Sequence, residues 1–239
     1  MPNQTNTTNS VANMTSGTVS GTGNAALANL ARYRYIVVEG PIGCGKSTLS
    51  RLLAERYGAN LLLEDATANP FLPQFYRDMK RYALATQMFF LFQRINQLSA
   101  IRQPDMFEKK TIADYMLAKD TLFAKLTLDD NEFQLYSQLY NHLRPQAPTP
   151  DLVIYLQASV DSLLGRIQRR ARPMERGITE DYLMRLSETY TRYFYDYSES
   201  PLLIVNSDRF NFADNPEHLQ MLCTRIESLR GMREYMNAG

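Results

Sequence analysis

Short apolar runs alternate with longer amphipathic stretches along most of this chain. The apolar runs predict five strands, at residues 35–38, 60–63, 111–113, 152–156 and 202–205. The stretches between them predict helices, the longest over residues 84–102, and a last helix is expected to close the chain. Strands that alternate with helices favour an α/β fold in which helices flank a five-stranded parallel sheet.

The amino-terminal segment breaks this pattern. Residues 1–31 contain no Lys, Arg, Asp or Glu and are rich in Asn, Thr, Ser and Gly. A segment of this composition buries too little apolar surface to offset the entropy lost on ordering, so we predict a disordered polar tail over residues 1–32. It has neither the positive nor the apolar region of a secretory signal. Residues 33–239 are predicted to form a single domain.

A phosphate-binding motif follows the first predicted strand. The residues read G-P-I-G-C-G-K-S and match the pattern G-x-x-x-x-G-K-[ST]. Because a strand precedes the loop and a helix follows it, the loop amides are expected to face phosphate oxygens. We expect Lys46 to bridge the β- and γ-phosphates of a nucleotide and Ser47 to hold Mg²⁺. The other residues expected around the nucleotide phosphates are Gly40, Pro41, Ile42, Gly43, Cys44, Gly45 and Thr48.

Acidic residues stand at or just past the ends of three predicted strands. They are Glu64, Asp114 and Asp208. Ligands of open α/β sheets bind beyond the carboxyl ends of the strands. These carboxylates are therefore expected near the phosphate loop.

A basic segment lies late in the chain, after the helix predicted over residues 160–170. Arg166, Arg170 and Arg172 could converge on transferring phosphates from such a helix end, as in an arginine-rich lid. The same spacing also fits a solvated basic face. The chain has no N-K-x-D guanine-reading motif, which weighs against a GTPase and favours a kinase.

Charge and cysteine content exclude several other classes. The net charge of +1 gives no electrostatic reason to expect nucleic acid or an anionic membrane as a partner. No apolar run reaches the length of a membrane span. Two cysteines, one of them inside the phosphate loop, do not form a disulfide framework, so we expect a cytoplasmic protein.

These motifs, in this order, resemble the deoxynucleoside kinase family over about residues 33–212. The most specific match is R-I-Q-R-R-A-R-P-M-E at residues 166–175, and D-L-V-I-Y-L at residues 151–156 also fits. The chain is most similar to bacterial deoxyadenosine and deoxyguanosine kinases. The resemblance implies a three-layer P-loop kinase fold, an arginine-rich lid, ATP and Mg²⁺ as cofactors, and a homodimer. It also implies that Asp208 lies near the adenine of ATP.

The resemblance further implies roles at the acceptor site. Glu64 matches the carboxylate that takes the proton from the sugar 5′-hydroxyl, and a neutral hydroxyl does need such a base. Gln87 matches the amide that binds the edge of the base. Tyr76 and Glu175 match the pair that hold the 3′-hydroxyl. Phe90 is a candidate to stack on the base, although it also fits plain core packing.

The chain departs from the family where the third strand ends. The family carries an acidic residue, Arg and Ser there, whereas this chain has Ala113-Asp114-Tyr115. A register that uses residues 108–110 would put the charges before the strand, so we prefer Asp114 as the acid that helps hold Mg²⁺ beside the substrate. The missing arginine requires another cation, either a lid arginine or Lys119.

We therefore predict ATP-dependent phosphorylation of the 5′-hydroxyl of a deoxynucleoside in nucleotide salvage, with a purine and deoxyadenosine first. One alternative is a nucleoside monophosphate kinase of the thymidylate kinase type, which would need a cationic cluster for the acceptor phosphate. Arg77, Lys80, Arg81 and Arg94 could supply that cluster. The other alternative is a regulator that binds nucleotides without turnover.

Overall fold

The computed structural model describes residues 33–101 and 110–237. The predicted tail at residues 1–32 and most of the alternative triplet at residues 108–110 lie outside this part of the chain. The strands are β1 (Tyr35–Glu39), β2 (Asn60–Leu62), β3 (Thr111–Ala113), β4 (Leu152–Gln157), β5 (Leu202–Asn206) and β6 (Arg233–Met236). The α-helices are α1 (Lys46–Tyr57), α2 (Leu72–Phe75), α3 (Met79–Ile101), α4 (Lys119–Thr127), α5 (Asp130–Leu143), α6 (Val160–Arg170), α7 (Glu180–Asp196) and α8 (Pro216–Ser228). Short 3₁₀ helices cover Ala66–Ala68, Arg144–Gln146 and Pro173–Glu175.

The strands form one parallel sheet in the order β2-β3-β1-β4-β5-β6. β1 lies inside the sheet, where Val37 is paired with Ala113 on one side and Val153 on the other. Strands β1 and β3 are buried throughout, as expected when helices cover both faces of a parallel sheet. The predicted α/β architecture is confirmed.

The predicted number of strands is corrected, because the sheet of the described residues has six strands rather than five. The last predicted helix ends at Ser228, and Arg233–Met236 then pairs with β5. This segment has only two apolar residues, Tyr235 and Met236, so its sequence carries little strand signal. Its backbone completes the hydrogen bonding of β5, which a sequence pattern does not reveal.

Helix α3 also differs from its prediction, because it begins at Met79 instead of residue 84. The side chain of Asp78 accepts a hydrogen bond from the backbone N–H of Arg81 at 3.2 Å, which is the contact of a helix N-cap. The first turn contains two adjacent charged residues, Lys80 and Arg81, which interrupt the apolar periodicity. No helix of the described residues has the length and apolar character required to cross a membrane.

The sheet order determines where a ligand can bind. The chain leaves β1 for β2 on one side, and later returns to β4 on the other side of β1. Where the strand order of a parallel sheet reverses in this way, a crevice opens at the carboxyl ends of the central strands. The loop after β1 lies at that crevice.

The sixth strand can be tested with two methionines near the carboxyl terminus. Met236 lies in β6 and is 7% exposed, whereas Met232 precedes the strand and is 57% exposed. We expect Met236→Ala to lower the free energy of unfolding by about 2 kcal/mol or more and Met232→Ala to change it by less than about 0.5 kcal/mol. Urea denaturation measures both changes in the free energy of unfolding. Changes of equal size would contradict the burial of Met236 in a sixth strand.

Candidate active site

The phosphate loop forms a tight turn between β1 and α1 that requires glycine. Gly40 has a φ of +148°, and a Cβ atom there would lie 2.5 Å from the carbonyl oxygen of Leu156. Only glycine avoids that clash. The ammonium of Lys46 folds back over the loop and donates to the carbonyl oxygens of Gly40 at 2.7 Å and Pro41 at 3.0 Å. The Lys46 ammonium is thus held by the backbone of the loop itself.

A buried carboxylate, Glu39, is hydrogen-bonded to the first residue of the loop. Glu39 accepts hydrogen bonds from the backbone N–H groups of Gly40 and Met116, both at 3.0 Å, and from the hydroxyl of Tyr190 at 3.1 Å. Burial raises the pKa of Glu39. The sequence predictions did not include this residue. The available signal was an acidic residue at the end of an otherwise apolar strand.

Asp114 joins the phosphate loop to the end of β2. One of its carboxylate oxygens accepts from the hydroxyl of Ser47, and the other accepts from the backbone N–H of Glu64 at 2.7 Å. Three residues expected at one site are therefore in contact, because β1, β2 and β3 end at the same edge of the sheet. The Ser47 hydroxyl and the Asp114 carboxylate are hard oxygen ligands that fit Mg²⁺.

The Glu64 carboxylate lies between two cations. Nε of Arg94 donates to Oε1 at 2.9 Å, and Nζ of Lys119 donates to Oε2 at 2.9 Å. Burial acts to raise the pKa of Glu64, but Arg94 and Lys119 outweigh it and hold that pKa well below its usual range. Glu64 is therefore ionised at neutral pH.

Arg94 is shared with a second carboxylate, that of Asp120. Both side chains are buried, and burial raises the pKa of Asp120 to about 7 despite the guanidinium beside it. Arg94 is also one of the four cations that could form a cluster for an acceptor phosphate. It lies seven residues after Gln87, so a helix of two turns puts both on one face, and this spacing could have indicated its place in the site.

The expected acceptor-binding residues line one deep cavity with Glu64. They are Tyr76, Gln87, Phe90 and Glu175, and Lys46, Ser47 and Asp114 line the same cavity. Gln87 is 1% exposed, and its Nε2 donates to the hydroxyl of Thr127 at 3.3 Å. Arg77, Lys80 and Arg81 are exposed and outside the lining of this cavity, so the cationic cluster of the monophosphate kinase alternative is not assembled there.

A second, more open cleft lies across the phosphate loop. It is lined by the expected nucleotide-binding residues Gly43, Cys44, Gly45, Thr48 and Asp208, together with Arg166 and Arg170. The Asp208 carboxylate accepts from the N–H of Ser159 at 2.9 Å. Ile42 lines the deep cavity instead, and Pro41 contributes its carbonyl oxygen to Lys46.

The three arginines of the basic segment are distributed over both cavities. Arg166 donates to the hydroxyl and carbonyl oxygens of Ser207, at 3.1 and 2.6 Å. Arg170 lines both cavities and pairs with Glu175 at 2.7 Å, while Arg172 lines the deep cavity, 3.9 Å from Glu175. Glu175 is therefore positioned by the same arginines that face the phosphate loop.

Two cavities that meet at a phosphate loop, with a carboxylate in one and arginines along both, define a P-loop phosphotransferase with a small-molecule acceptor. Comparison with known proteins gives the family. Residues 36–230 match the deoxynucleoside kinase family. The chain therefore belongs to the deoxynucleoside kinase family and is a deoxynucleoside kinase, as the sequence motifs indicated.

Individual relatives agree with the family. A deoxyadenosine kinase of Lactobacillus acidophilus is 35% identical over 196 residues, which are 76% of this chain and 89% of the relative. A deoxyguanosine kinase of Bacillus subtilis is 34% identical over 202 residues, 82% of this chain and 97% of the relative. The structure of deoxyadenosine kinase from M. mycoides with bound dATP is 26% identical, has a TM-score of 0.70, and covers 81% of this chain and 100% of its own.

The burial of Arg94 leads to a stability prediction. We expect Arg94→Leu to lower the free energy of unfolding by about 3–5 kcal/mol at pH 7, because Glu64 and Asp120 lose their shared buried partner. Arg81→Leu, on the exposed face of the same helix, is expected to cost less than about 1 kcal/mol. Urea denaturation distinguishes the two variants, and a loss of similar size in both would refute the role of Arg94.

Proposed function

We propose that this deoxynucleoside kinase transfers the γ-phosphoryl group of ATP to the 5′-hydroxyl of deoxyadenosine, as a step of nucleotide salvage. The carboxylate of Glu64, paired with Arg94 and Lys119 in one cavity with Lys46 and Gln87, is the observation that carries the proposal. The names of the relatives, deoxyadenosine kinase and deoxyguanosine kinase, support a purine acceptor.

Glu64 acts as the general base. It takes the proton of the 5′-hydroxyl while the hydroxyl oxygen bonds to the γ-phosphorus. The bond from that phosphorus to the β,γ-bridging oxygen breaks, and ADP leaves. A base must be unprotonated to act, and the two cations around Glu64 keep it so. Tyr76 and Glu175 hold the sugar, Gln87 binds the base edge, and Phe90 stacks on it.

Lys119 replaces the arginine that the family carries after the third strand. Tyr115 occupies the arginine position, and its hydroxyl donates to Gln97 Oε1 at 2.7 Å. Lys119 comes from the first turn of α4 instead and reaches the Glu64 carboxylate. An ammonium there stabilises the negative charge that develops on the attacking and transferring oxygens.

The phosphates of ATP bind across the loop. Backbone amides of residues 40–48 and the ammonium of Lys46 hold them, and Asp208 lies at the adenine end of the open cleft. Arg166, Arg170 and Arg172 form the arginine-rich lid that neutralises the charge of the transferring group. Ser47 and Asp114 would hold Mg²⁺, which would offset the negative charge of the phosphates when bound.

We also propose that the enzyme works as a homodimer in the cytoplasm. Helices α3 and α5 pack together and expose large apolar side chains, Phe92 on the first and Leu135 on the second. These exposed apolar side chains on two packed helices are where we expect the subunits to meet. Both cysteines are free thiols, which suits a reducing compartment.

The proposed reaction is tested by incubating the protein with ATP and Mg²⁺ and each of the four deoxynucleosides. We expect deoxyadenosine to be phosphorylated with the highest kcat/KM, because a relative that is 35% identical to this chain is a deoxyadenosine kinase. Conversion of dTMP without conversion of any deoxynucleoside would contradict the proposal.

The role of Glu64 as the base predicts that its substitution lowers kcat but not the affinity for ATP. Glu64→Gln removes the base but keeps the shape of the side chain, so kcat should fall by about 10²- to 10⁴-fold. The affinity for ATP, measured by calorimetry, should stay nearly unchanged because the carboxylate faces the other cavity. Glu55→Gln, on the exposed face of α1, is the matched control. Retention of wild-type kcat in Glu64→Gln would exclude Glu64 as the base.

Lys119 predicts a change in pH dependence. Its removal in Lys119→Met takes away one of two charges that lower the pKa of Glu64, so this pKa should rise. The base is active when ionised, so the acid-side decline of kcat/KM should move to higher pH. Lys125→Met, exposed on the same helix, should leave the profile in place. An unmoved acid limb in Lys119→Met would argue against this role.

A further inference from the structure

The side-chain amide of Gln87 is held in a single orientation. The hydroxyl of Thr127 donates its hydrogen to the carbonyl oxygen of Phe123 at 2.6 Å. A hydroxyl has one hydrogen, so the Thr127 oxygen can then only accept. The group of Gln87 that faces it, at 3.3 Å, must be the donor Nε2 and not the acceptor Oε1. Thr127 therefore distinguishes the two ends of the amide.

The other end of the amide is left for a ligand. Gln87 Oε1 is buried and has no hydrogen-bond partner among the described residues, and the hydroxyl oxygen of the adjacent Thr86 is in the same condition. Both residues line the deep cavity. Leaving buried acceptors unpaired costs free energy, so a ligand that donates hydrogen bonds here is favoured. Arg94, the nearby charged donor on the same helix, is already paired with Glu64 and Asp120.

The four bases fall into two classes when they meet such an amide. Adenine and cytosine present an amino donor beside a ring-nitrogen acceptor. Guanine and thymine present an oxo acceptor beside a ring N–H donor, which is the reverse order. An amide that rotates freely by 180° can pair with either class, whereas an amide held in one orientation pairs with one class only.

We propose that Thr127 is a positioning residue that keeps the carbonyl of Gln87 toward the exocyclic amino group of the base. The enzyme thereby selects deoxynucleosides with an amino-bearing base, deoxyadenosine and deoxycytidine, over those with an oxo group in that place. An amino group carries two hydrogens and can satisfy the free oxygens of both Gln87 and Thr86. This inference rests on the proposed role of Gln87 at the base edge.

Removal of the Thr127 hydroxyl tests the inference. In Thr127→Val the amide can rotate, so the ratio of kcat/KM for deoxyadenosine to that for deoxyguanosine should fall at least about fivefold, the lower limit for one bidentate pair. Thr127→Ser keeps the hydroxyl and should keep the ratio. Thr121→Val is the matched control, because Thr121 lies on the same helix and donates to the carbonyl oxygen of Ala118 at 2.8 Å, without a contact to Gln87.

An unchanged ratio in Thr127→Val, an equal shift in Thr121→Val, or a ratio that rises would each overturn the inference. A wild-type protein that phosphorylates no deoxynucleoside would refute the proposed function itself, so the two failures are distinguishable. If Thr127→Val does not fold, a crystal structure of the wild-type protein with deoxyadenosine tests the inference instead. The N6 amino group should lie within hydrogen-bonding distance of Gln87 on the side away from Thr127, and an N6 on the Thr127 side would contradict the inference.

Discussion

The contact on which this site depends is the pairing of a half-buried carboxylate, Glu64, with two buried cations from different helices. Arg94 reaches it from α3 and Lys119 from α4, and both cations are buried, so each needs a carboxylate partner. The pairing positions the two helices against the end of β2 and keeps the carboxylate ionised. A structural requirement and a catalytic one are therefore met by the same three side chains.

The parallel sheet brings this group to the phosphate loop. Since β1, β2 and β3 are neighbours and run in the same direction, the loop, Glu64 and Asp114 all lie at one edge. Asp114 links the other two through its two carboxylate oxygens. Glu39 adds a buried link from the loop to the turn before α4, the helix that carries Lys119. Hydrogen bonds of Asp114 and Glu39 thus link the phosphate site to the acceptor site.

Residues whose position follows from local pattern could be predicted from the sequence. The phosphate loop, the strand-end acids and the arginine segment belong to this group, because each is tied to one element and to the direction of the sheet. Contacts between distant elements could not be predicted in this way. Sequence spacing does not show that Arg94 turns to Glu64, that Thr127 faces Gln87, or that the weakly apolar segment Arg233–Met236 adds a strand. Each depends on how helices and strands pack.

The central claim is that Glu64 is the base for the 5′-hydroxyl, and a crystal structure tests it most directly. The enzyme should be crystallised with deoxyadenosine and a non-hydrolysable ATP analogue. The account predicts a distance of about 2.6–3.2 Å between a carboxylate oxygen of Glu64 and the 5′-oxygen, with that oxygen directed at the γ-phosphorus. A 5′-oxygen bound to another carboxylate, with Glu64 paired only to Arg94 and Lys119, would contradict the account.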